Sequence, residues 1–125
     1  MHTVLVIDDN ALNVELVVGV LEVEGFEVLT ATDGRKGVAC ALAQKPDVVL
    51  MDLRMPGMSG MEAMRELRDD PETRDIPVVV LTASAMKGDR EQLLEIGFDG
   101  YLGKPIDPVT FADEVCAFCT GASQA

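Results

Sequence analysis

Val48-Val49-Leu50-Met51-Asp52-Leu53-Arg54-Met55-Pro56-Gly57 is the stretch on which the fold of this chain is decided. Four apolar residues run into a single carboxylate, and Pro56 and Gly57 then turn the chain. The run is too short for a buried helix and is bounded by turn formers, which predicts a strand buried on both faces. In an open α/β sheet, the residue at the carboxyl end of such a strand faces the ligand crevice. Asp52 is therefore the first candidate for chemistry. Taken alone, the stretch fits a solvated strand-end carboxylate equally well.

The flanking sequence repeats the pattern. Residues 3–7 are apolar and β-branched and end in Asp8-Asp9. Asn10 is placed to cap a helix over 11–24, with Gly25 as its stop. On that helix Leu16, Val17, Val20 and Leu21 form one stripe, with Ala11, Val14 and Val18 to its side. Two apolar flanks predict packing against both the sheet and another helix; a partner-docking patch near the helix N-terminus is the alternative. A second strand is predicted over 27–31, and Asp33-Gly34 turns into a helix over 35–44. Pro46 then imposes an extended start on the strand quoted above.

Beyond Asp52, Ser59-x-x-Glu62 has the spacing of a capping box and opens a third helix through 68. Met61 and Met64, at helical spacing, are read as core. Residues 70–77 form a polar loop, and 78–81 a fourth buried strand ending in Thr82. A helix over 86–95 is closed by Gly97, and Tyr101-Leu102 marks a short fifth strand ending near Lys104-Pro105. Asp107-Pro108 is a cap followed by Pro at the first helical position of the last helix, which runs to 119. Residues 121–125 read as a frayed tail, leaving one domain over 1–120.

The chain has 125 residues, enough for one core without disulfides or a structural metal. Its net charge of −12 argues against a nucleic-acid surface, which needs clustered Lys and Arg. Hydrophobic content of 48% argues against disorder. No apolar run is long enough to span a bilayer, and the early apolar stretch breaks at Asp8-Asp9, unlike a signal peptide. A soluble, cytoplasmic protein without membrane insertion is expected. Of the three cysteines, two form Cys116-x-x-Cys119, but with His2 as the only histidine a zinc site lacks ligands. Buried small hydrophobes are the better account of these thiols.

Strand and helix thus alternate five times. Alternation with short connections implies an α/β fold of the (βα)5, flavodoxin-like kind: a five-stranded parallel sheet with right-handed crossovers and helices on both faces. Its expected strand order is 2-1-3-4-5, which sets strands 1 and 3 side by side at the switch point. Asp8, Asp9 and Asp52 then meet at one sheet edge, joined by Thr82 after strand 4 and Lys104 after strand 5. Three carboxylates in one crevice repel one another unless a cation compensates. Hard oxygen ligands suit Mg²⁺, which keeps several waters and readily adds a phosphate oxygen. The added hydroxyl and ammonium suggest a metal together with an anion, and a phosphoryl group fits both. A carboxylate can itself be the nucleophile, giving an aspartyl phosphate, and Asp52 is best placed for it. Phosphoryl transfer draws most of its rate from positioning and charge neutralisation, so the lack of a separate general base is no obstacle.

With these residues in order, the chain resembles response-regulator receiver domains of the CheY-like family over essentially its full length. Asp8-Asp9, Asp52, Thr82-Ala83 and Lys104-Pro105 carry the resemblance. It implies Asp52 as phospho-acceptor from a histidine kinase or histidine phosphotransfer protein in a two-component or phosphorelay system. It implies Asp8, Asp9, Asp52 and the backbone carbonyl of Arg54 as the Mg²⁺ shell, with Thr82, Lys104 and the backbone of Ala83 contacting the phosphoryl group. Tyr101 matches the family's switch aromatic, which turns inward as Thr82 moves toward the phosphate. The surface so biased is that of the fourth helix, the fifth strand and the last helix. Such a domain catalyses its own phosphorylation and slow dephosphorylation and turns over no separate substrate. Asp8-Asp9-Asn10 with Asn13, and the segment from Thr82 to Glu91, look most like hybrid-kinase receivers and stand-alone DivK-like regulators. The opening Met and the short tail favour a stand-alone regulator, whose downstream protein partner is not legible.

Three other readings compete. A Mg²⁺-dependent phosphohydrolase of the haloacid-dehalogenase type would carry Asp-x-Asp after strand 1 and a cap domain, and this chain has neither. A flavodoxin-like cofactor binder would not place acidic residues where a flavin phosphate sits. A receiver fold kept only as a docking scaffold would not need the acidic, hydroxyl and Lys positions intact.

Overall fold

The computed structural model describes residues 2–52, 60–82, 95, 97–103, 107 and 109–118. The described elements follow in the order β1 (Thr3–Ile7), α1 (Ala11–Val23), β2 (Glu27–Ala31), α2 (Gly34–Gln44), β3 (Val48–Met51), α3 (Gly60–Asp69), β4 (Val78–Thr82), β5 (Gly100–Gly103) and α4 (Phe111–Phe118). The helix expected over 86–95, apart from Glu95, lies outside the described residues, as do Ser59 of the expected capping box and the expected tail at 121–125.

The five strands form one sheet in the order β2-β1-β3-β4-β5, and every pairing is parallel. This is the architecture expected from the alternation of strand and helix. Side chains alternate across the pleat, and the burial follows. Leu5, Ile7, Val49, Met51, Val78 and Val80 pack on one face with residues of α2 and α3. Val4, Val6, Val48, Leu50, Val79 and Leu81 pack on the other with Val17 and Leu21 of α1 and Phe111, Ala112 and Val115 of α4. Burying such a side chain fully is worth roughly 1.5–3 kcal/mol, so two filled faces make the sheet a rigid platform.

Helix ends behave as their sequences dictate. The Asn10 side chain caps α1 by accepting from the Asn13 amide, and Asp33 does the same for α2 through the Lys36 amide. Gly25, at φ 91°, ends α1, and the Phe26 amide reaches back to the Leu21 carbonyl. Asp107 accepts from the Val109 amide in a turn, and the regular helix begins only at Phe111.

Some expectations need correction. Leu16, assigned to the buried stripe of α1, is 47% exposed; Val17 and Leu21 alone on that helix are fully buried. Met64 is core as expected, whereas Met61 is 40% exposed. Cys40 and Cys116 are half-buried rather than buried, and Cys119 lies outside the described residues. Desolvation pushes the Cys40 thiol above its ordinary 9.0.

Candidate metal and phosphoryl site

Ile7 pairs with Met51, so the residues that follow them, Asp8 and Asp52, leave adjacent parallel strands at the same edge. The backbone holds both in register beyond the strands proper. The Asp8 amide donates to the Ala31 carbonyl at 3.1 Å and the Asp52 amide to the Ile7 carbonyl at 2.9 Å. Each carboxylate is thus positioned by a neighbouring strand and not by a free loop.

The ladder continues through Met51 with Val80, and Thr82 with Gly103, so β4 and β5 end at this edge too. The backbone of Thr82 is therefore one strand away from Asp52. Tyr101, in β5, is half-buried and packs against the cluster on the α2 and α3 face. Arg54, Ala83 and Lys104 lie outside the described residues.

One oxygen from each of Asp8, Asp9 and Asp52 lies within 4.8 Å of the other two. Asp8 is buried, Asp52 half-buried and Asp9 exposed, so the cluster opens outward from a buried base. Both Asp8 oxygens are engaged: Oδ1 accepts from the Asn10 amide at 2.9 Å and Oδ2 from the Asn13 side-chain amide at 2.5 Å. These bonds fix the rotamer of Asp8 and leave each oxygen further acceptor capacity.

The donor set suits a small hard cation. Oxygens bound to one Mg²⁺ at about 2.1 Å are held within about 4.2 Å of one another, so small side-chain rotations gather the three carboxylates. Asn13, singled out in the sequence only as a mark of the resemblance, makes a contact to Asp8 that the sequence did not assign. Its position, a polar side chain in the first turn of a helix that follows the acidic pair, is compatible with that contact but does not single it out.

Comparison with known proteins gives the family and the fold. The model of the response regulator receiver domain matches residues 4–115. The response regulator PleD of Caulobacter vibrioides is 49% identical over 106 residues, covering 85% of this chain but only 23% of PleD. The polar-differentiation response regulator DivK of Brucella anthropi is 36% identical over 116 residues, covering 93% of this chain and 94% of DivK. Among solved structures, the receiver domain of the sensor histidine kinase PA1611 from Pseudomonas aeruginosa superposes with a TM-score of 0.85 at 33% identity, over 94% of this chain and 96% of that one. That structure holds a magnesium ion in its active-site cleft. The family model spans most of the chain and the relatives agree with it, so the chain belongs to the response-regulator receiver domains.

Proposed function

We propose that Asp52 accepts a phosphoryl group from a histidine kinase or histidine phosphotransfer protein, in a two-component or phosphorelay pathway. The observation that carries this reading is the gathering of Asp8, Asp9 and Asp52 at the adjacent ends of β1 and β3. Asp8, Asp9, Asp52 and the carbonyl of Arg54 are the residues that would hold Mg²⁺. When bound, the ion neutralises the acidic cluster and the incoming phosphoryl oxygens.

The chain's own residues do the rest. An Asp52 carboxylate oxygen attacks the phosphorus of phosphohistidine; the P–O bond forms, the P–N bond breaks, and the imidazole leaves and regains its proton. Lys104 neutralises a phosphoryl oxygen, while the Thr82 hydroxyl and the Ala83 amide donate to the others. Hydrolysis of the acyl phosphate by water later restores the carboxylate. Phosphorylation adds roughly −1.5 to −2 of charge and three acceptor oxygens. Thr82 is drawn toward them, Tyr101 packs inward, and the surface around β5 and the last helix changes affinity for a protein target. Leu12, exposed in the first turn of α1 just after the acidic pair, and the exposed Leu16 one turn further on give the phosphodonor an apolar place to dock. The reaction belongs in the cytoplasm; among the described residues no helix is long and apolar enough to cross a membrane.

Acetyl phosphate with Mg²⁺ is expected to add one phosphoryl group to the wild type, seen by intact mass, and none to Asp52→Ala. Equal uptake by Asp52→Ala would overturn the assignment. Steady turnover of a phosphomonoester surviving Asp52→Asn would point instead to a phosphohydrolase, and no uptake by the wild type to a docking scaffold.

A further inference from the structure

Far from the acidic cluster, at the opposite end of β4 and β5, one guanidinium gathers an unusual number of acceptors. Arg68, in the last turn of α3, donates to the carbonyls of Arg74 and Ile76 at 2.8 Å each and of Gly97 at 3.1 Å. It also pairs with the Asp99 carboxylate at 2.5 Å. Asp99 is itself locked to β4: its Oδ2 accepts from the Val78 amide and its own amide donates to the Val78 carbonyl, both at 2.8 Å. The end of α3, the start of β4 and the start of β5 thus converge on one ion pair. The planar fork of Arg suits this; a Lys ammonium could not span the same acceptors.

We propose that Arg68 is a positioning residue for the switch, holding the near ends of β4 and β5 against α3 so that a pull at Thr82 reorients Tyr101 instead of sliding β5. This rests on the phosphoacceptor reading above. β5 has four residues and, among the described strands, pairs only with β4. A short edge strand has few ladder bonds to resist displacement. Its register matters, because Tyr101 packs on the α3 side while Leu102 packs on the α4 side, and a one-residue slip exchanges the faces. Two contacts oppose slipping at the near end: the Arg68–Asp99 pair, and the approach of Phe118 to Gly100, where any Cβ would overlap the Phe118 ring. The strand is pinned behind Tyr101 and ends, ahead of it, at the site edge. Coupling needs an element with two arrangements that both sites bias; an anchored strand lets the side chain be that element.

Tyr101 is the single tyrosine of the chain, so 3-fluorotyrosine labelling gives one ¹⁹F resonance that reports it alone. With beryllofluoride and Mg²⁺, the wild-type resonance is expected to shift. Arg68→Met should accept phosphate at Asp52 from acetyl phosphate at the wild-type rate, while its ¹⁹F response falls to about a third or less, the size of effect seen for residues that carry coupling. Asp99→Asn keeps an oxygen for the Val78 amide and should lose part of the response; it serves as the test if Arg68→Met does not fold. A full ¹⁹F response in the folded variant overturns the inference, as does a loss matched by an equal loss of uptake, which would make Arg68 a fold residue only. A wild type that is phosphorylated without any ¹⁹F change would overturn the switch role of Tyr101 and, with it, this inference, while leaving Asp52 as acceptor.

Discussion

Asp8 accepts from donors of different kinds, among them a backbone amide from Asn10 and a side-chain amide from Asn13, and of these two only the second can be removed by mutation without moving the chain. Partners that orient a metal ligand typically matter 10- to 100-fold in affinity. Asn13→Ala is therefore expected to weaken Mg²⁺ binding by about tenfold or more, measured by isothermal titration calorimetry, with a small change in stability because Asn10 still caps the helix through the Asn13 backbone amide. Unchanged affinity would mean that Asp8 needs no second restraint. The acidic residues themselves were legible because each ends an apolar strand, and strand ends on one sheet edge must converge. The role of Asn13 was not legible, since its bond depends on the angle at which α1 leaves β1, and a lone Asn in a first helical turn is ordinarily solvated.

Gly37 shows how an element is fitted to the strand that carries the site. A Cβ there would meet Cγ1 of Ile7 at 2.7 Å and overlap its Cδ1 outright, so α2 lies directly on the residue preceding Asp8. In an unconstrained helix Gly→Ala gains roughly 0.5–1 kcal/mol. Here Gly37→Ala is expected to lose about 1–3 kcal/mol by overpacking, read from urea unfolding. Ile7→Val removes the colliding Cδ1 and should cost about 0.5–1.5 kcal/mol alone, yet make Gly37→Ala less damaging in the double variant. Strict additivity would mean that α2 shifts as a body. Strand positions were read closely from the sequence because a strand buried on both faces admits only apolar residues. The faces of α1 were read less well: Leu16 and Val23 are apolar yet exposed, and no periodicity distinguishes a residue covered by this fold from one left for a partner. The start of α4 was anticipated too early because the turn that Asp107 closes precedes the regular helix.

At the scale of the molecule, charge ties the site to stability. The chain carries 22 acidic against 10 basic residues, and the folded state concentrates three of the acids where their oxygens lie within 4.8 Å of one another. Unfolding separates Asp52 from Asp8 and Asp9, which stay neighbours along the chain, so the repulsion between Asp52 and that pair destabilises the folded state alone; a bound cation reverses the sign, because an ion that binds only the folded chain stabilises it by mass action. Above its dissociation constant, each tenfold rise in Mg²⁺ should add about 1.4 kcal/mol to the wild-type unfolding free energy. Asp9→Asn, at the exposed lip of the cluster, removes one repelling charge and one ligand together. It should be more stable than the wild type in EDTA and less stable at millimolar Mg²⁺, so that the two urea midpoints exchange order. Added salt should shrink the EDTA difference, since an exposed charge is screened within about 10 Å at 0.1 M. The same order in both conditions would mean that the three carboxylates, close as they are, do not share one ion.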